Sequence, residues 1–242
     1  STSFLLLGLL SIIIVFAAIF LRGKPPEAKA AVPSEVSGSE ALSMSGMLFL
    51  ASKDSSFWFL TAGFFVCGFH VAFITVHMPA YLDDKGLPTE LGAYSLMLIG
   101  LFNVIGSFIA GYMGGRFSKK YLLSTLYSLR SVTIAIFIMV PISTISVLLF
   151  SVAMGLLWLS TVPLTSSLVA TIYGTRYMGT LFGIVFFSHQ VGSFLGVWLG
   201  GYFYDMTGSY DLIWWAGIAL GFTAAILHWP IHEQTRTEAV NA

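Results

Sequence analysis

The 242 residues predict an all-α protein, a polytopic bundle of seven membrane spans, on two observations. Hydrophobic residues make up 57% of the chain and charged residues 9%, with a mean hydropathy of +0.87, far from a soluble domain. The apolar residues also gather into runs, at 3–21, 57–82, 92–114, 121–140, 144–170, 178–204 and 211–229. Each run can cross a hydrocarbon layer of ~30 Å, which takes about 20 helical residues. The formal charge is zero, so nothing points to nucleic acid. The single cysteine, Cys67, lies inside an apolar run, which excludes an intrachain disulfide and a cysteine metal cluster.

The first run opens at Ser1 without a methionine or a charged leader region. It reads as a span cut from a longer protein rather than as a signal peptide. Residues 23–55 follow, containing RGKPPEAKAAVPSEVSGSEALSMSG, a Pro, Ser, Ala and charge mixture that cannot pack a core and reads as a linker. Its end, MLFLASKDSSFW, suits a short interfacial helix.

The second run carries His70 and His77, seven residues apart and therefore on one helical stripe, with Phe73 between them. Polar residues within spans face the bundle interior or a water-filled cavity, and Asn103 adds a polar spot in the third run. The fourth holds Arg130 in STLYSLRSVTIAIF. Counted from Tyr121 at ~1.5 Å per residue, it lies roughly 13 Å deep. A charge there costs on the order of 3 kcal/mol unless paired. All eleven acidic residues fall in the linker, loops, span ends or tail. Arg130 must therefore meet backbone carbonyls and hydroxyls of adjacent helices, an acid outside this chain, or an anionic substrate.

In the fifth run Pro163 removes a backbone hydrogen bond, and Thr161, Thr165, Ser166 and Ser167 stand ready to satisfy the freed carbonyls. Trp158, Thr161 and Thr165 share a face. The sixth run pairs His189 with Gln190, and its Gly192, Gly196 and Gly200 recur every four residues, a small-xxx-small stripe that admits close helix approach. The seventh lacks a lysine for a retinal Schiff base. Short connections make successive helices antiparallel neighbours.

Lysines and arginines set the expected orientation. With the linker in the cytoplasm, Arg22, Lys24, Lys29, Lys53, Arg116, Lys119, Lys120, Arg176 and Arg236 fall inside, Lys85 alone falls outside, and Arg130 lies within a span. The N-terminus is then outside and the C-terminus cytoplasmic.

The turn GYMGGRFSKK, residues 111–120, resembles the loop motif G-x-x-x-D-R-x-G-R-R of the major facilitator superfamily. Gly111, Arg116, Lys119 and Lys120 match it, while Gly115 replaces its Asp and Ser118 its second Gly. Within that superfamily GFHVAFITVHMPAYLDDKGL, PLTSSLVATIYG and GIVFFSHQVGSFLGVWLGGYFYDMTGSYDLIWW resemble bacterial relatives of the monocarboxylate porters. The animal porters carry an Asp and, four residues on, an Arg in helix eight, where this chain has Asn103 and Ser107.

The resemblance implies the second part of a twelve-helix transporter. Residues 1–22 correspond to helix six, 23–55 to the cytoplasmic linker between halves, 56–232 to the six-helix second half and 233–242 to a cytoplasmic tail. Helices seven, eight, ten and eleven would bring His70, Phe73, His77, Asn103, Trp158, Thr161, Thr165, His189 and Gln190 around a central cavity. Arg130, in helix nine behind that cavity, takes a structural role. The implied activity is secondary transport of a small organic solute, an organic anion such as a monocarboxylate, by alternating access, with a proton or ion as a coupled partner. The implied partners are the lipid bilayer, expected to be a bacterial inner membrane, and the missing N-terminal half; no cofactor or metal is implied.

Two other classes compete. An intramembrane enzyme would need a zinc-ligand helix pair, paired intramembrane aspartates or a G-x-S-x-G elbow, and the sequence has none of these. A seven-helix receptor or sensor matches the span count and the orientation, but explains neither the linker nor the loop motif.

Overall fold

The computed structural model describes residues 43–234, and every regular element among them is a helix. In chain order these are α1 (Met44–Lys53), α2 (Ser55–Asp84), α3 (Glu90–Gly114), α4 (Lys119–Met139), α5 (Thr144–Leu157), α6 (Thr161–Tyr173), α7 (Thr175–Thr207) and α8 (Asp211–His228). Six stretches are long and apolar enough to cross a membrane, α5 and α6 forming one interrupted span over Thr144–Tyr173. They coincide with the last six apolar runs, most of the helices reaching one to three residues past the apolar limits. The first run, most of the linker and the tail from residue 235 lie outside the described residues.

The helix ends follow from local chemistry. Ser43 caps α1, its Oγ accepting the Gly46 N–H at 3.1 Å, where the sequence suggests a short helix before the first described span. Asp54 closes α1 and opens α2, accepting the Ser56 N–H at 2.9 Å, while its other oxygen accepts the Tyr173 hydroxyl at 2.9 Å. Val140 ends α4 just before Pro141, which cannot continue a helix. Ser143 and Ser146 form a capping box at the start of α5. Gly208 ends α7 at φ +66°, the left-handed conformation that favours glycine.

The most extensive packing joins spans distant in sequence: α2 with α7, α3 with α5, and α4 with α8. Glycines explain the first two. A Cβ on Gly192 or Gly196 would meet the carbonyls of Phe65 and Phe69, and one on Gly68 would meet the His189 backbone. Likewise Gly106 lies against the Leu156 carbonyl and Gly155 against that of Ile99. Van der Waals contact between backbones is what associates helices in lipid.

The interior is layered. One apolar cluster gathers Leu60 and Phe64 of α2, Leu123 of α4 and Leu168 of α6. A second, nearer the other end of the spans, holds Ile74 and Met78 of α2, Ile134 and Phe137 of α4, Met154 of α5 and Trp214 of α8. Near the boundary between them lie six of the buried polar side chains, His70, Arg130, Ser131, Thr161, Thr165 and His189.

Candidate functional site

The fifth apolar run does not remain one helix. Pro163 has no N–H, and a continuous helix would drive its ring against the carbonyl four residues earlier. The chain leaves helical geometry at Trp158, which has φ −56° and ψ −81°, and resumes at Thr161, placing Pro163 in the first turn of α6, where a missing N–H is tolerated. The break frees carbonyls at the end of α5 and amides at the start of α6.

Two side chains from opposite sides answer those groups. From α4, Arg130 Nη2 donates to the carbonyls of Leu157 and Trp158, each at 2.6 Å. From α3, Asn103 Oδ1 accepts the Leu159 N–H at 3.0 Å. Arg130 is wholly buried. Its Nη1 approaches Cys67 Sγ at 3.5 Å, and its Cζ lies 5.3 Å from the Tyr127 ring centre. Cys67 in turn pairs with Thr161 Oγ1 at 3.2 Å. A cation at the carboxyl end of α5 also complements the negative end of the helix dipole. Of the partners open to Arg130 on sequence grounds, backbone carbonyls are the ones observed.

Asn103 borders a groove of about 490 Å³, lined also by Val104, Ser107 and Phe108 of α3 and by Leu159, Val162 and Pro163 at the break. Ser107 Oγ points to Asn103 Oδ1 at 3.4 Å. The groove thus sets one carboxamide, one hydroxyl and irregular backbone into an otherwise apolar wall. Such a surface can orient a small solute through hydrogen bonds.

The remaining sequence-marked residues face several directions. His70 is buried and its Nε2 lies 2.7 Å from the Gly217 carbonyl on α8. His77 is half-buried against α7, with Nε2 3.0 Å from the Val197 carbonyl. Phe73 packs on Trp214 at a ring separation of 4.8 Å. Trp158, Thr161 and Thr165 are buried inside the bundle. His189 has Nδ1 3.2 Å from Gln190 Oε1 and stacks on Phe186, while Gln190 is exposed. Gly192, Gly196 and Gly200 form the face pressed on α2. The geometry gathers Asn103, Trp158 and Thr161 at the interruption, links His189 to it through Cys67, and turns His70 to α8 and His77 to α7. Among the described residues, no group of three His, Cys, Asp or Glu could hold a metal ion.

At the turn after α3, Gly111 is open on its Cα side, and Arg116 lies 4.2 Å from the Tyr112 ring centre. The start of α4 takes its cap from far away: Glu233 Oε1 accepts the Ser118 hydroxyl at 2.8 Å and the Lys120 N–H. Cys67 and Glu233 had no distinguishing sequence signal. One is a lone thiol in an apolar run, the other a charged residue in a tail.

Comparison with known proteins agrees with this architecture. The family model described as Major Facilitator Superfamily matches residues 1–197. An uncharacterized MFS-type transporter of Bacillus subtilis (strain 168), YcxA, is 34% identical over 157 residues, 62% of this chain and 38% of that protein. Monocarboxylate transporter 13 of Rattus norvegicus is 30% identical over 139 residues, 56% of this chain and 32% of its own. Monocarboxylate transporter 12-B of Danio rerio is 24% identical over 156 residues, 63% of this chain and 33% of its own. The matched stretch is thus about a third of each relative's length.

Proposed function

The chain belongs to the major facilitator superfamily, and from that premise we propose that residues 56–232 are the six-helix second half of a secondary active transporter for a small organic anion. In this reading residues 1–22 are the last span of the first half, 23–55 the cytoplasmic linker and 233–242 a cytoplasmic tail. The N-terminus is outside, and the membrane is a bacterial inner membrane. Two halves rock about a midplane site and expose it to each side in turn.

The observation that carries the proposal is the interrupted span held by Arg130 and Asn103 beside an open groove. Irregular backbone is tolerated at membrane depth where it is buried in protein or lines a cavity. Here its carbonyl side is covered by a charged side chain and its amide side meets the groove. Asn103 and Ser107 supply hydrogen-bond donors from this half, and the missing half completes the site. Two relatives named as monocarboxylate transporters support a monocarboxylate as substrate. His189 and Gln190 on α7, with His70 and His77 on α2, are the residues of this half through which a coupled proton or ion would pass.

The full-length protein in proteoliposomes tests this with uptake of radiolabelled pyruvate under an imposed proton gradient. Saturable uptake that falls in the Asn103→Ala variant is the expected result. Absence of uptake across a panel of short monocarboxylates would overturn the substrate class. Uptake unchanged by alanine at His70, His77, Asn103 and His189 together would overturn the cavity assignment.

A further inference from the structure

The pair formed by α3 and the interrupted span has two faces, and a second groove lies on the face opposite Asn103. It measures about 290 Å³ and is closed on its third side by α4. Along α3 the first groove takes Asn103 and Ser107, whereas the second takes Gly106, Ala110 and Met113. At the break the first takes Leu159 and Pro163, the second Leu157 and Leu164. The two therefore share a wall and differ in chemistry. The second is almost wholly apolar, with Leu122, Leu126 and Leu129 as its α4 side. Beyond Leu129 the exposed side chains of α4 continue as Val132, Ile136 and Met139, an unbroken apolar stripe of the kind that faces acyl chains.

The groove begins at the turn between α3 and α4. Met113 and Leu122, two of its lining residues, stand within about one helical turn of residues 115–118. From Leu122 to Leu129 it runs roughly 10 Å along α4. At its mouth are Arg116, Lys119 and Lys120, flanked by exposed Tyr112, Phe117 and Tyr121. Arg116 and Lys120 lie over the rings of Tyr112 and Tyr121, a geometry suited to the headgroup level of a bilayer. A negative oxygen is already drawn to this turn, because Glu233 accepts from Ser118 and from the Lys120 amide. That carboxylate accepts from the Ser118 hydroxyl and the Lys120 amide, and among the described residues it pairs with none of the three cationic side chains.

We propose that this groove is a binding site for an anionic phospholipid, its phosphate on Arg116, Lys119 and Lys120 and one acyl chain between α3, α4 and the break. Charge complementarity selects the headgroup, since each basic residue near the surface adds to the attraction for anionic lipid. The apolar walls select a chain over a free phosphate. An occupied groove would rest against Leu157, whose carbonyl accepts from Arg130, so the lipid would bear on the break from behind. The site stands on the membrane location of the family and not on the identity of the transported solute.

Native mass spectrometry of the delipidated full-length protein, titrated with phosphatidylglycerol and separately with phosphatidylcholine of the same chains, tests the site. Phosphatidylglycerol is expected to bind more tightly. Replacing Arg116, Lys119 and Lys120 by glutamine should weaken it by about tenfold or more while leaving phosphatidylcholine unchanged. Leu126→Trp fills the groove with the cations intact and should also remove phosphatidylglycerol. Leu129→Trp, on the exposed rim, serves the same purpose if the inner variant does not fold. Equal binding of the two lipids, or binding unmoved by the charge change, would overturn the proposal. So would full retention in a folded tryptophan variant, which would reduce the contact to electrostatics at the turn.

Discussion

The seam between α2 and α7 and the interruption between α5 and α6 lie at similar depth, yet they are held by opposite means. Along the seam backbone rests directly on backbone, with Gly68, Gly192 and Gly196 leaving no room for a Cβ. At the interruption the Leu157 and Trp158 carbonyls and the Leu159 N–H are met by the side chains of Arg130 and Asn103 instead. The first contact has a single arrangement, because interlocked backbones admit no rotamers. The second can be released and remade by moving two side chains. The two joints are neighbours through Cys67, which sits on α2 and touches both Arg130 and Thr161.

The sharpest way to break this contrast is Gly192→Leu. Its side chain would have to enter the Phe65 carbonyl, and overpacking of about 3 kcal/mol or more should prevent recovery of monodisperse protein in detergent size-exclusion chromatography. Normal recovery would show that the seam can open. Next in size is Arg130→Met, which keeps the volume and leaves the Leu157 and Trp158 carbonyls unanswered. A loss of about 2–4 kcal/mol is expected in reversible unfolding, with Arg130→Lys losing less because one donor still reaches. An unaltered Arg130→Met variant would mean that the break holds itself. The smallest effect belongs to Asn103→Ala, about 1 kcal/mol from the orphaned Leu159 N–H. Hydrogen exchange should rise at residues 159–161 and stay unchanged along α7. Exchange that rises equally in both places would erase the distinction between joints.

Much of this bundle was legible in the sequence because lipid imposes a simple rule: about twenty apolar residues make a spanning helix. The six described spans and the glycine stripe on α7 follow from composition along one helix. Pro163 marks the span that breaks, but the freed carbonyls are met by Arg130 and not by Thr161, Thr165, Ser166 or Ser167. What one helix cannot state is which neighbour its side chains meet. Arg130 could be recognised as a charge in need of partners, but the identity of those partners depends on how α4 crosses α5. The polar residues of the second run illustrate the same point. His70 and His77 share a stripe by periodicity, yet one hydrogen-bonds α8 and the other α7. The successive connections suggested sequential neighbours, whereas glycine packing made α2 and α7 the most extensive contact. Both grooves, finally, form between helices and have no signature in any one of them.

Glu233 carries a consequence for how the half is made. The end of α4 at Ser118 and Lys120 is closed by a carboxylate more than a hundred positions further along. While the chain emerges from the ribosome, that end of α4 is left to water, and it stays so through the synthesis of three more spans. Only after α8 has been inserted and the following residues released can the end be closed. The last described stretch of the chain thus acts as a latch on an early one, a contact that can form only once translation has passed residue 233.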